Sequence, residues 1–242
     1  MPMRKAIKLP EHAPGQGFPE YALILALAVV ILVLILNLLG VSTRELYCTV
    51  LTSLGVETAL CESAYCQSAF ESMEGWQSSQ NQGWNIQNGN LCNTSNPYPN
   101  FLFNQCSQQN APSDYVIKID GATLNAGDGY GVFFRLQNYD NRPSGYIFQY
   151  DPGLGGAFAV RKWVNGNEIN PPIALNRPPG YTWTGVPRDV EIHVKGNTYT
   201  AFVDGQQVLT FTDNTYMSGG VGLRTWDKTS VCMDDFSINP IQ

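Results

Sequence analysis

The chain has 242 residues, with 14 Lys+Arg against 20 Asp+Glu, two histidines (His12 and His193) and a formal charge of −6. That balance excludes nucleic acid as the main partner, because neutralising phosphates takes clustered Lys and Arg. Only 14% of residues are charged, and the abundance of Gly, Asn, Gln, Ser and Thr matches the uncharged polar surfaces common in secreted β proteins.

The first element is apolar. Arg4, Lys5 and Lys8 precede a run from Tyr21 to Leu39 whose one strongly polar side chain is Asn37. At 1.5 Å per residue, roughly twenty residues cross a ~30 Å hydrocarbon core. The next cation, Arg44, is offset by Glu45, so the positive-inside bias places the N-terminus in the cytoplasm and the remainder outside. A secretory signal would be shorter, with small residues after its apolar core; here Gly15 and Gly17 come before it. The helical spacing resumes through Leu46, Val50, Leu51 and Leu54, and Gly55 is the stop. Pro19 and Glu20 suit the first turn, where a missing N–H costs nothing and a carboxylate meets the positive end of the helix dipole.

The stretch "PGQGFPEYALILALAVVILVLIL" resembles the N-terminus of a type IV pilin, most closely the Flp/Tad subclass. That resemblance implies cleavage between Gly15 and Gln16 by a prepilin peptidase, with Glu20 and Tyr21 as the fifth and sixth mature residues. Loss of residues 1–15 removes three cations and one acid, moving the formal charge from −6 to about −8. A carboxylate in a water-free filament core costs several kcal/mol unless paired. The new α-amino group of Gln16 on a neighbouring identical subunit would pair with Glu20 and fix the axial register. One departure is the large region beyond the helix, since Flp pilins are usually very small.

The six cysteines, Cys48, Cys61, Cys66, Cys92, Cys106 and Cys232, all lie C-terminal to the apolar run. An even number in an exported region implies three disulfides, and the absence of a CxxC pair argues against zinc. The expected pairing is Cys48–Cys61, Cys92–Cys106 and Cys66–Cys232.

From about Ala69 the pattern changes to period two, with no helical run expected after Phe70. Strands are read in "GWNIQNGNLCN", "DYVIKIDG", "GYGVFFRLQ", "GYIFQYD", "FAVRKWV", "DVEIHVKG", "TYTAFVD", "QQVLTFT", "GGVGLRTW" and "VCMDDFSI". Asp204-Gly205 is a two-residue hairpin signal. The fold class is α+β, a long N-terminal apolar helix followed by an antiparallel jelly-roll β-sandwich. The expected divisions are a leader over 1–15, a helix over 16–55, a Cys-containing linker over 56–66 and the sandwich over 67–242.

The stretches "GWNIQNGNL", "DVEIHVKGNTYTAFVDGQQVLTFTD" and "SGGVGLRTW…VCMDDFSI" resemble the concanavalin-A-like lectin/glucanase superfamily, including domains related to the laminin-G and 3-keto-disaccharide hydrolase families. The resemblance implies a fold shared by enzymes, lectins and spacers, so function must come from side chains. Retaining glucanases of this fold carry E-x-D-x-x-E, with carboxylates about 5 Å apart. Glu168, Glu191 and the Asp234-Asp235 pair do not reproduce it, and His193 beside Glu191 has no nucleophile near it, so no catalytic residue is expected. Alternation sets Arg135 with Gln137, Gln149 with Asp151, Arg161 with Trp163 and Arg224 with Trp226 on one polar face that would meet a surface glycan. Phe134, Leu136, Phe148, Tyr150, Val160 and Leu223 read as core. The alternative for the tryptophans is packing within the sandwich. Asp234 or Asp235 would serve a structural calcium ion, which some domains of this fold hold; no other cofactor is expected. Asn93-Thr94-Ser95 matches the N-glycosylation sequon. Together these features lead to the expectation of a non-enzymatic pilin-like subunit, held in the cytoplasmic membrane as precursor and then displayed in a cell-surface filament. The alternative is a membrane-tethered lectin that does not polymerise.

Overall fold

The computed structural model describes residues 50, 51, 54, 65–79, 83–94, 100–226 and 228–241. The chain divides into two compact units, Met1–Glu62 and Ser63–Gln242. In the first, Val50 and Leu51 are helical, and the Leu54 N–H donates to Val50 O at 3.1 Å. The rest of the expected apolar helix, together with Gly15, Gln16, Glu20, Tyr21, Cys48 and Cys61, lies outside the described residues.

The second unit is a two-sheet sandwich of jelly-roll type. Sheet one contains β1 (Cys66–Ser68), β3 (Trp84–Gln87), β4 (Asn90–Asn93), β6 (Tyr115–Ala126), β12 (Pro187–Lys195), β13 (Thr198–Val203), β14 (Gln206–Thr212), β16 (Ser230–Met233) and β17 (Asp235–Pro240). Its order is β14-β13-β12-β6-β16-β4-β3, with β17 also on β6 and β1 on β17. Sheet two contains β2 (Trp76–Ser78), β5 (Phe101–Asn104), β7 (Tyr130–Leu136), β8 (Gly145–Asp151), β9 (Ala157–Val164), β10 (Asn167–Glu168), β11 (Ala174–Asn176) and β15 (Gly220–Thr225). Its order is β10-β9-β8-β7-β15-β5-β2, with β11 also on β9.

Alternation builds the core between the sheets. On β12, Val190, Ile192 and Val194 are buried while Glu191 and His193 between them face outward. Sheet two supplies Val132, Phe134, Tyr146, Phe148, Tyr150, Phe158, Val160 and Leu223 to the same core. Each such side chain contributes about 1.5–3 kcal/mol on full burial. The Asp204-Gly205 turn joins β13 to β14 with φ of +52° and +73°, as its sequence predicts.

Sheet two is buried on both faces, which simple alternation does not anticipate. Its outer face carries a second apolar cluster of Phe101, Phe103, Phe133, Leu136, Ile147 and Trp163. Leu136, expected in the core, belongs to this outer cluster. The cause is a bulge at Arg135, whose φ is +53°, where β7 carries an extra residue against β15: Leu136 faces Gly220 while Phe133 faces Gly222. Gly219 closes the bulge at φ +123°, with a Cβ position only 2.3 Å from Leu136 O. A short helix, Gln105–Asn110, is also unforeseen; Asn104 caps it by accepting the Ser107 N–H at 2.9 Å.

The disulfides correct two of the three expected pairings, Cys92–Cys106 and Cys66–Cys232. Cys66 is bonded to Cys106 and Cys92 to Cys232. Cys92 and Cys232 are direct cross-strand partners on β4 and β16. Cys66 opens β1 against β17, and Cys106 lies in the short helix after β5, 5.9 Å away between Cα atoms. Cys92 cannot also reach Cys106, so among the described residues one staple, Cys66–Cys106, runs from sheet one to the helix that follows a strand of sheet two, and the other, Cys92–Cys232, lies within sheet one.

Candidate ligand face

Four strands and one short hairpin bring the site together on the outer face of sheet two. Across it, Arg224 on β15 lies in register with Gly131 on β7, Gln149 on β8 and Ala159 on β9. Arg161 and Trp163 follow on β9. The Asn165-Gly166 turn, with φ of +49° and +82°, folds β10 back so that Glu168 faces Trp163.

Glu168 is the hub. Its carboxylate accepts from Gln149 Nε2 at 3.1 Å and from Arg224 Nη1 at 3.4 Å, and forms an ion pair with Arg161, whose Nε lies 2.9 Å away. The Arg161 Nε–H donates to Gln149 Oε1 at 3.0 Å, and its Nη1 donates to Asn170 Oδ1. The guanidinium of Arg224 lies 4.7 Å from the Trp163 ring and 5.0 Å from the Trp226 ring. Trp163 is 1% exposed and set edge-to-face against Phe101 and Phe133, so no sugar ring can stack on it. Trp226 is half-buried. A Cβ on Gly129, whose φ is +138°, would come within 2.9 Å of the Trp226 ring, so only glycine leaves room for the indole.

The cluster is layered by charge. The side chains of Arg161 and Arg224 are 7% and 10% exposed, whereas Glu168 is 26% exposed. Next along β8 is Asp151, buried, which caps the turn Pro152–Leu154 by accepting the Leu154 N–H at 2.9 Å. Burial pushes its carboxyl up to about 6, against the opposing pull of that hydrogen bond and of Arg161. Asp128 stands exposed beside it, close enough that a side chain on Gly153 would collide with it.

Of the eight residues expected on a polar face, Gln149, Arg161, Trp163, Arg224 and Trp226 are therefore together, with Asp151 next to them on β8. Arg135 is not among them. The bulge turns it inward, 1% exposed, where Nη2 donates to Gly196 O at 3.1 Å and the guanidinium lies 5.4 Å from the Tyr115 ring. Gln137 is exposed on the loop beyond. Glu168, which reads as a turn residue in the sequence, is the one that Gln149, Arg161 and Arg224 all meet. Its signal is the Asn165-Gly166 pair, which sets β10 against β9.

Elsewhere, Glu191 on the outer face of sheet one lies 3.0 Å from His193 Nε2 and 3.2 Å from Lys118 Nζ. Burial raises its carboxyl, but these hydrogen bonds outweigh burial and leave it below its ordinary value. Asp234 and Asp235 are both exposed, and among the described residues no three His, Cys, Asp or Glu side chains gather as a metal shell. Asn93 is fully buried inside the sandwich, so its sequon does not present an acceptor amide on the folded domain.

The sequence model of the 3-keto-alpha-glucoside-1,2-lyase-like domain family matches residues 67–239. The chain belongs to that family. Among solved structures, carbohydrate binding module CBM66 from Bacillus subtilis is similar at 18% identity, over 68% of this chain and 95% of that one, with a TM-score of 0.57. The carbohydrate recognition domain of Emp47p follows at 14% identity, 76% and 99% coverage and 0.56. A putative glycosyl hydrolase from Parabacteroides distasonis is similar at 10% identity, 73% and 94% coverage and 0.53. At these identities the likeness establishes the family's lectin-like sandwich and not its ligand. A search of curated proteins finds no match.

Proposed function

We propose that the chain is a cell-surface saccharide-binding protein whose sandwich, held outside the membrane by the apolar segment 16–55, binds a glycan on the outer face of sheet two. The observation that carries this reading is the convergence of Gln149, Arg161, Glu168 and Arg224 on one face, with Trp163 and Trp226 flanking Arg224. Fork-shaped donors around one carboxylate suit the paired hydroxyls of a sugar. Two structural neighbours named for carbohydrate binding or recognition support it. Binding rather than cleavage is the reading, because the glucanase carboxylate spacing is missing. The test is a glycan array probed with the full-length chain in nanodiscs. Binding that falls at least tenfold in Arg224→Ala and Trp226→Ala is expected, with no products from the bound glycan. Absence of any bound glycan would sink the reading, and product formation lost in Glu168→Gln would replace it with an enzyme.

A second reading, favoured by the spacing of Gly15, Gln16, Glu20 and Tyr21, is that the same sandwich decorates a type IV pilin-like filament. The leader 1–15 would be removed by prepilin peptidase, identical subunits would pack through their helices, and repetition would multiply a weak glycan affinity. Mass measurement of the mature chain decides this: a start at Gln16 supports filament processing, and retention of residues 1–15 returns the protein to a simple tether. In the filament case Glu20→Ala keeps export and loses filaments.

A further inference from the structure

We infer that Glu168 is the group that reads the ligand, and that it selects saccharides without acidic groups. This inference rests on the saccharide-binding reading and deepens it. Two guanidiniums in one cluster are a common device for holding uronates or sulfated sugars, but here the layering of charge opposes that role. The positive charges of Arg161 and Arg224 lie inside, 7% and 10% exposed, and both are turned on the Glu168 carboxylate. Gln149 Nε2 also donates to it. The indoles of Trp163 and Trp226 lie against the Arg224 guanidinium and cover it further. What water meets is the carboxylate of Glu168, with Asp128 exposed at the rim beyond Asp151. A carboxylate on the incoming sugar would face like charge with its natural partners already engaged. A neutral sugar instead donates hydroxyl protons to oxygens that two arginines and an amide have already oriented. The guanidiniums thus act as positioning groups, and Trp226 acts through Arg224.

A charge swap tests this assignment. Glu168→Gln keeps the shape and an acceptor oxygen but leaves the two guanidiniums without their counter-charge. On an array holding matched neutral and uronate-bearing glycans, the wild-type chain in nanodiscs should favour neutral members by at least tenfold. Glu168→Gln should shift that ratio at least tenfold towards the acidic ones. Arg224→Gln should move it the opposite way, further towards the neutral members, and provides a second variant should the first fold poorly. Preference of the wild type for acidic glycans, or a ratio unmoved by Glu168→Gln, overturns the inference. If no array member binds, the saccharide-binding reading fails by itself. Charge selection is then read from titration with glucuronate alone, followed by tryptophan fluorescence. Glu168→Gln responds and wild type does not if it holds; equal behaviour of the two overturns it.

Discussion

Asp151 shows how the site's chemistry reaches stability. Burial raises its carboxyl from 3.8 to about 6, so the folded state holds the proton more tightly than the unfolded chain does. The stabilisation is complete below about pH 4 and is lost as pH rises through about 6. Asp151→Asn keeps an oxygen for the Leu154 N–H and removes the buried charge. With a discount for solvent screening, it should raise stability on the order of 2 kcal/mol at pH 7.5 and leave it nearly unchanged at pH 4, as read by thermal unfolding at the two values. At this same scale the sequence is legible wherever strands alternate without interruption. Parity alone places Gln149, Arg161, Trp163 and Arg224 together. It misplaces Arg135 and Leu136 because one residue at φ +53° inverts it, and an arginine carries no mark of that conformation. Glu168 escapes it because a two-residue strand has no period to read; only its turn is written in the sequence.

Among elements, most strands and the Asp204-Gly205 hairpin follow from hydrophobic period and turn chemistry. The pairing of distant strands does not, and the disulfides depend on it. Cys92 meets Cys232 because β4 and β16 are neighbours, a fact set by sheet order across a separation of 140 residues. Peptide mapping without reduction should find Cys66–Cys106 and Cys92–Cys232, and a Cys92–Cys106 or Cys66–Cys232 peptide would contradict the strand order itself. Loop-closure entropy gives roughly 5 kcal/mol for the longer staple and roughly 4 kcal/mol for the one spanning 40 residues. Chemical denaturation of Cys92→Ala/Cys232→Ala should therefore show the larger loss of stability.

For the whole molecule, the split into an N-terminal unit and a sandwich is legible as a change of period near residue 69, close to the boundary at Glu62 and Ser63. The route of the Cys66–Cys106 staple, from sheet one to the helix after β5, has a mechanical consequence. A pull on the chain ahead of residue 66 passes through Cys66 into Cys106, and so from the edge of sheet one into the helix beside β15. The Ser107 hydroxyl accepts the Val221 N–H of that strand at 2.9 Å, and Arg224 lies further along the same strand. Tension between an anchor and a bound surface would then run almost directly to the ligand face, bypassing the three-residue pairing of β1 with β17. With Cys66 and Cys106 replaced by serine, β1, β2 and β3 should peel away at low force until Cys92 halts them, releasing roughly 90 Å of chain. Optical-tweezers traces of the full-length protein, held ahead of Cys66 and at Asn165, should show that step in the variant and not in the native chain. If the N-terminal unit is a tether and sheet two holds the ligand, as proposed, the Cys66–Cys106 staple would be the mooring rope between the two.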